Sequence, residues 1–143
     1  MTQEDKELLL KDLCSRLPYG VKAEVTNTQG YHHDNVAKKG EKTIDTLKGY
    51  DSSYNCFTIY HNNPLDWDWT CSEIDIEDIK PYLLPLSSMT EEQEEEYNNL
   101  NCYELGCFPH IEDALDYLIK NHFDYRGLID KGLALDATDK NIY

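Results

Sequence analysis

Apolar positions recur along this chain in two periods, and the switch between them divides it. Residues 2–17 carry Leu9, Leu10, Leu13, Cys14 and Leu17 at helical spacing, which predicts an amphipathic helix. Thr2 is placed to cap its first turn, where Glu4, Asp5 and Glu7 suit the positive end of the dipole. Pro18 and Gly20 end it. Residues 21–26 then alternate Val21, Ala23 and Val25 with Lys22, Glu24 and Thr26, the period of a half-buried strand. Residues 43–49 and 54–60 predict a hairpin about Asp51, Ser52 and Ser53, with the second strand apolar on both faces. Residues 70–76 read as a further strand, and Glu77, Asp78, Ile79 and Lys80 as a short helical turn that Pro81 stops.

Beyond that joint the period becomes helical. Thr90 with Gln93 forms a capping box, in competition with Ser88 and Glu91, and opens a helix at Glu91. Its apolar stripe is narrow, consisting of Tyr97 and Leu100. Residues 111–123 repeat Ile111, Ala114, Leu115, Leu118, Ile119 and His122 at three and four positions, the clearest helix of the chain. A turn about Leu128 and Ile129, a strand over 133–135 and a loose tail over 138–143 complete the expectation. The fold class is α+β: an N-terminal helix, a small antiparallel sheet or SH3-like β-barrel, then two to three helices. Residues 1–86 and 87–143 form two parts sharing one core, within the size of a single domain.

Charge sharpens this division. Of 143 residues, 28 are Asp or Glu and 13 are Lys or Arg, a net charge of -15. Residues 1–50 are balanced, with eight of each sign, so the whole excess lies in 51–143. Such a field opposes phosphate backbones, so direct nucleic-acid binding is not expected, whereas a basic protein surface is an accessible partner. No apolar run approaches the ~20 residues of a membrane helix. Five cysteines at irregular spacing do not form a secreted disulfide framework and fit a reducing cytoplasm.

Candidate chemistry is sparse. Glu91, Glu92, Glu94, Glu95 and Glu96 are not balanced by lysines four residues on, as a helix built for solubility alone often is. They are either a solvated face or an array that imitates phosphates on another protein's binding groove. Trp67 and Trp69 alternate with Asp66 and Asp68, so an extended segment turns both rings to one side, for a partner or for the core. Tyr31, His32 and His33 with Lys38, Lys39 and Lys42 are the best alternative ligand site, suited to a signal nucleotide. Cys102, Cys107 and His110 approach a zinc pattern but lack the paired spacing of structural sites, and the cysteines serve equally as small hydrophobes. A Cys/His enzyme is a third class, for which no sequence pattern selects a pair. No catalytic residue, metal or cofactor is expected.

Three stretches, LLKDLCSRLPYGV at 9–21, DIKPYLLPLSSMT at 78–90 and NHFDYRGLIDKGLAL at 121–135, cover more than a quarter of the chain. They resemble segments of small uncharacterised proteins from gut Bacteroidales and their phages or prophages. Leu84 stands where that group usually has arginine. The resemblance implies a mobile-element setting and assigns no catalytic residue. The expectation that follows is a non-enzymatic cytoplasmic binding protein, for instance an inhibitor of a host defence or nucleic-acid-handling protein. Its partner would be a host or phage protein with a basic surface.

Overall fold

The computed structural model describes residues 1–26, 40–60, 71–101 and 111–143. Helix α1 spans Gln3–Arg16. Its start is the expected one: the Thr2 hydroxyl accepts the Asp5 N–H at 3.1 Å, and the Asp5 carboxylate accepts the Thr2 N–H at 3.0 Å. Pro18 fits the first turn of a 3₁₀ segment over Leu17–Tyr19, and Gly20 adopts a left-handed φ of 70° that terminates it. Leu9 and Leu13 are fully buried, while Leu10, Cys14 and Leu17 are only partly covered.

Six strands among the described residues form one open sheet, in the order β4-β3-β2-β1-β5-β6. They are β1 (Lys22–Thr26), β2 (Lys42–Asp51), β3 (Cys56–Tyr60), β4 (Cys71–Asp75), β5 (Ile79–Leu83) and β6 (Leu135–Asp136). All pairings are antiparallel except β5 with β6. The sheet is thus the small antiparallel one expected, and it does not close as an SH3-like barrel. β4 and β6 are its two ends and do not pair with each other.

The hairpin of β2 and β3 turns where the Asp51 carboxylate accepts the Ser53 N–H at 2.7 Å. Its second strand begins at Cys56 rather than 54, leaving Tyr54 exposed in the turn. Cys56 is buried on one face of β3, and Phe57 and Ile59 on the other. A register shift between Leu47 and Gly49 places Gly49 against Thr58, whose hydroxyl oxygen would lie 2.9 Å from any added Cβ.

The joint between the halves departs from the sequence expectation. The helical turn occupies only Ile76–Asp78, and β5 then runs straight through Pro81, paired with Ala23. β6 begins alongside Tyr82, so Pro81 has a ladder on one side only, where a missing N–H is tolerated. Beyond β5, Leu84 donates to the His122 carbonyl at 2.9 Å and accepts the Asp124 N–H at 2.7 Å, which ties the joint to the end of the third helix.

Helices α2 (Glu91–Leu100) and α3 (Ile111–Lys120) follow. α3 ends three residues earlier than its apolar period, because His122 takes a left-handed φ of 59°. Its buried stripe is Ala114, Leu118 and Ile119, while Ile111 and Leu115 are exposed. The strand expected over 133–135 is displaced to Leu135–Asp136, and Leu133 and Ala134 enter the core instead. One continuous cluster joins α1 (Leu9, Leu13), the sheet (Val21, Leu47, Phe57, Ile79, Leu83) and the final segment (Leu128, Leu133).

The tail is not loose. The Tyr143 hydroxyl donates to the Tyr82 carbonyl at 2.7 Å and accepts the Lys22 N–H at 3.1 Å, and the Lys22 ammonium donates to the Ile142 carbonyl at 2.7 Å.

Candidate functional site: the acidic helix and a buried charge cluster

α2 starts at Thr90, not at the competing Ser88. The Thr90 hydroxyl accepts the Gln93 N–H at 3.2 Å and the Gln93 side chain accepts the Thr90 N–H at 2.9 Å. Ser88 is withdrawn into the preceding turn, its hydroxyl donating to the Pro85 carbonyl at 2.7 Å. The cap fixes the helix phase, and that phase decides where the glutamates point. No residue of α2 is buried. Gln93, Tyr97 and Leu100 are half-buried, and Glu91, Glu92, Glu94, Glu95 and Glu96 are all exposed.

A thin seam holds α2 to α3. The Tyr97 and Tyr117 rings lie 6.4 Å apart, and the Tyr117 hydroxyl donates to the Gln93 carbonyl at 3.3 Å. Burial pushes the Tyr117 hydroxyl up in pKa, and the negative charges of Glu96 and Glu92 add to the shift. Among the described residues no lysine or arginine forms an ion pair with any of the five glutamates. Among the described residues the outer face of α2 is therefore a patch of like charge without a basic counter-charge, suited to screening by salt or to a basic partner.

The other expected sites fare differently. Trp67, Trp69, Asp66 and Asp68 lie outside the described residues, as do Tyr31, His32, His33, Lys38 and Lys39, and also Cys102, Cys107 and His110. Lys42 is described: it is exposed at the start of β2 and pairs with Glu24 at 2.8 Å. Among the described residues no group of three or more His, Cys, Asp or Glu could hold a metal. Burial raises the pKa of the Cys14 thiol, which favours the neutral form and opposes a nucleophilic role.

Sequence reasoning missed a buried polar cluster beside Leu9 and Leu13 on the buried face of α1. Arg16 and Asp12 are both fully buried and form a two-pronged pair, Nε to Oδ2 at 2.7 Å and Nη2 to Oδ1 at 3.1 Å. Arg16 also donates to the Ile119 carbonyl at 3.3 Å and the Phe123 carbonyl at 2.8 Å, which serves the end of α3. Arg126 approaches the same carboxylate at 3.3 Å. The Tyr125 ring lies 5.6 Å from the Arg16 guanidinium carbon and 4.6 Å from that of Arg126. Asp124, also buried, accepts the Leu128 and Ile129 N–H groups at 2.9 and 2.8 Å. The available signal was the four-residue spacing of Asp12 and Arg16, which reads equally as a surface pair.

His122 closes the cluster. Its ring stacks on Tyr143 with centroids 3.9 Å apart and planes 11° from parallel. Burial, reinforced by the positive charge of Arg16, holds the imidazole down at about 4, and burial pushes the Tyr143 hydroxyl up to about 12. In the unfolded chain His122 titrates near 6.5, so between pH 4 and 6.5 the unfolded state binds more protons than the folded one. Stability therefore rises with pH across that window and falls on acidification. The contribution at stake is on the order of 2–3 kcal/mol. His122→Asn, which tolerates the left-handed φ, is expected to flatten the slope in urea melts between pH 4.5 and 7. An unchanged slope would assign the acid sensitivity elsewhere.

Comparison with protein-family models, curated proteins and solved structures finds no match to this chain. No helix among the described residues is long and apolar enough to cross a membrane.

Proposed function

We propose that this is a non-enzymatic binding protein whose acidic helix α2 engages a basic surface on another protein. The observation that carries this reading is the exposure of Glu91, Glu92, Glu94 and Glu95 on a helix that buries no residue and has no basic counter-charge among the described residues. Carboxylates clustered on the exposed face of a capped helix share the sign of a phosphate backbone. The partner class that follows is a nucleic-acid-handling protein, whose groove the helix would occupy. The resemblance to phage and prophage proteins supports a host defence factor met in the cytoplasm as that partner.

The test is capture of host proteins on the immobilised chain, with duplex DNA as competitor. Bound partner should be released by the DNA and by salt, because both compete for or screen the same charges. Converting Glu91, Glu92, Glu94 and Glu95 to Gln should weaken capture about tenfold or more, given coupling of ~1.5 kcal/mol or more per close interfacial charge pair. The melting temperature should hardly move, since exposed substitutions change stability by only ~0.5 kcal/mol. Undiminished capture by this variant would end the acidic-helix reading.

A further inference from the structure

We propose that Arg126 and Tyr125 form a binding site for one oxyanion group, a carboxylate or a phosphate. The site lies beside the buried Asp12–Arg16 pair and uses no residue of α2, so it stands or falls independently of the function proposed above.

Asp12 is one carboxylate facing two guanidiniums. Arg16 takes it with two donors and spends others on the Ile119 and Phe123 carbonyls. Arg126 is left with a 3.3 Å approach to Oδ1 and no hydrogen bond: its buried Nε has no acceptor. Among the described residues its guanidinium has no hydrogen-bonded partner, although its side chain is only 19% exposed. The Tyr125 hydroxyl is likewise buried without a partner. The nearby Asp124 carboxylate is no substitute, being turned to the Leu128 and Ile129 N–H groups.

Buried donors without acceptors are costly, and the cost is greatest for a charged donor. The two residues are neighbours in the chain, and the Arg126 guanidinium carbon lies 4.6 Å from the Tyr125 ring centroid. Their chemistry is that of an oxyanion site. The planar fork of arginine binds carboxylate or phosphate in two-pronged fashion, and a phenol adds one further donor. Two guanidiniums approach one carboxylate, Asp12, so Arg126 is the arginine whose fork is not engaged by hydrogen bonds. Part of the Arg126 side chain stays exposed, and the residue after it is Gly127, with open space where a side chain would stand.

The experiment is a titration of the whole chain with inorganic phosphate and, separately, with acetate, at ionic strength held constant by chloride. The Arg126 Nε–H and Gly127 amide resonances report. The expected result is a saturable shift of both signals with at least one anion, and which anion acts identifies the oxyanion. Arg126→Gln should abolish the Gly127 response. Arg126→Lys, which keeps the charge without the fork, and Tyr125→Phe should each weaken binding several-fold. The proposal is overturned if neither anion gives a saturable shift at tens of millimolar, or if Gly127 responds equally in Arg126→Gln. The titration of the unaltered chain decides the matter even where a variant fails to fold.

Discussion

Asp12→Ala is expected to destabilise the protein by about 3–5 kcal/mol, because it leaves a guanidinium buried without its counter-charge. Arg16 is fully buried, so no solvent can reach it to replace the lost carboxylate. Arg126 loses the same partner, which adds a second uncompensated charge. For a chain of this size the melting temperature should fall by roughly 10 °C or more. The informative control is the double change Asp12→Leu with Arg16→Met. It removes the buried pair altogether and should recover much of the loss, since apolar replacements of whole buried ion pairs are often near neutral. Recovery will be incomplete, because the Ile119 and Phe123 carbonyls lose their donor at about 1 kcal/mol each and Arg126 still lacks its ion-pair partner. Calorimetry of the four proteins gives the coupling directly. A single variant no worse than the double would mean that the pair is not the buried unit described.

Phe123→Ala is expected to cost about 3–5 kcal/mol, the range for truncating a fully buried aromatic ring. Phe123 has no exposed surface, and its backbone is held on both sides. Its N–H donates to the Leu118 carbonyl and its own carbonyl accepts from Arg16, so the surroundings cannot collapse easily into the void. Leu115→Ala provides the contrast. Leu115 was predicted for the same apolar stripe but is 39% exposed, so its truncation should cost well under 1 kcal/mol. Urea denaturation of the two variants measures the difference. Equal effects would contradict this placement of α3 and its exit.

The two results also mark where reading from sequence stopped working. The leucine stripe of α1 was legible, but Asp12 and Arg16 on its flank look like any exposed pair four residues apart. What buries them is the end of α3, 103 to 107 residues further on, and nothing local announces that contact. The candidate site divides in the same way. The charge of Glu91 to Glu96 and the capping box that orients it are local properties, so both were anticipated. The donors of Tyr125 and Arg126 gain meaning only through their burial and the lack of acceptors around them.

By itself, then, the sequence determined the pieces whose causes lie within a few residues. These are the Thr2 cap, the Thr90 capping box, the Pro18 and Gly20 stop, the β2–β3 hairpin and the alternation of β1. Each follows from hydrogen bonds or side-chain direction along a short stretch, which neighbouring residues specify. Tertiary structure alone decided that Pro81 lies within a strand, that β6 pairs parallel to β5, that the sheet stays open and that Tyr143 docks on His122. It also decided that one carboxylate should answer two arginines. Those outcomes depend on which distant groups exclude water from one another, and burial of that kind is a property of the closed chain rather than of any segment in it.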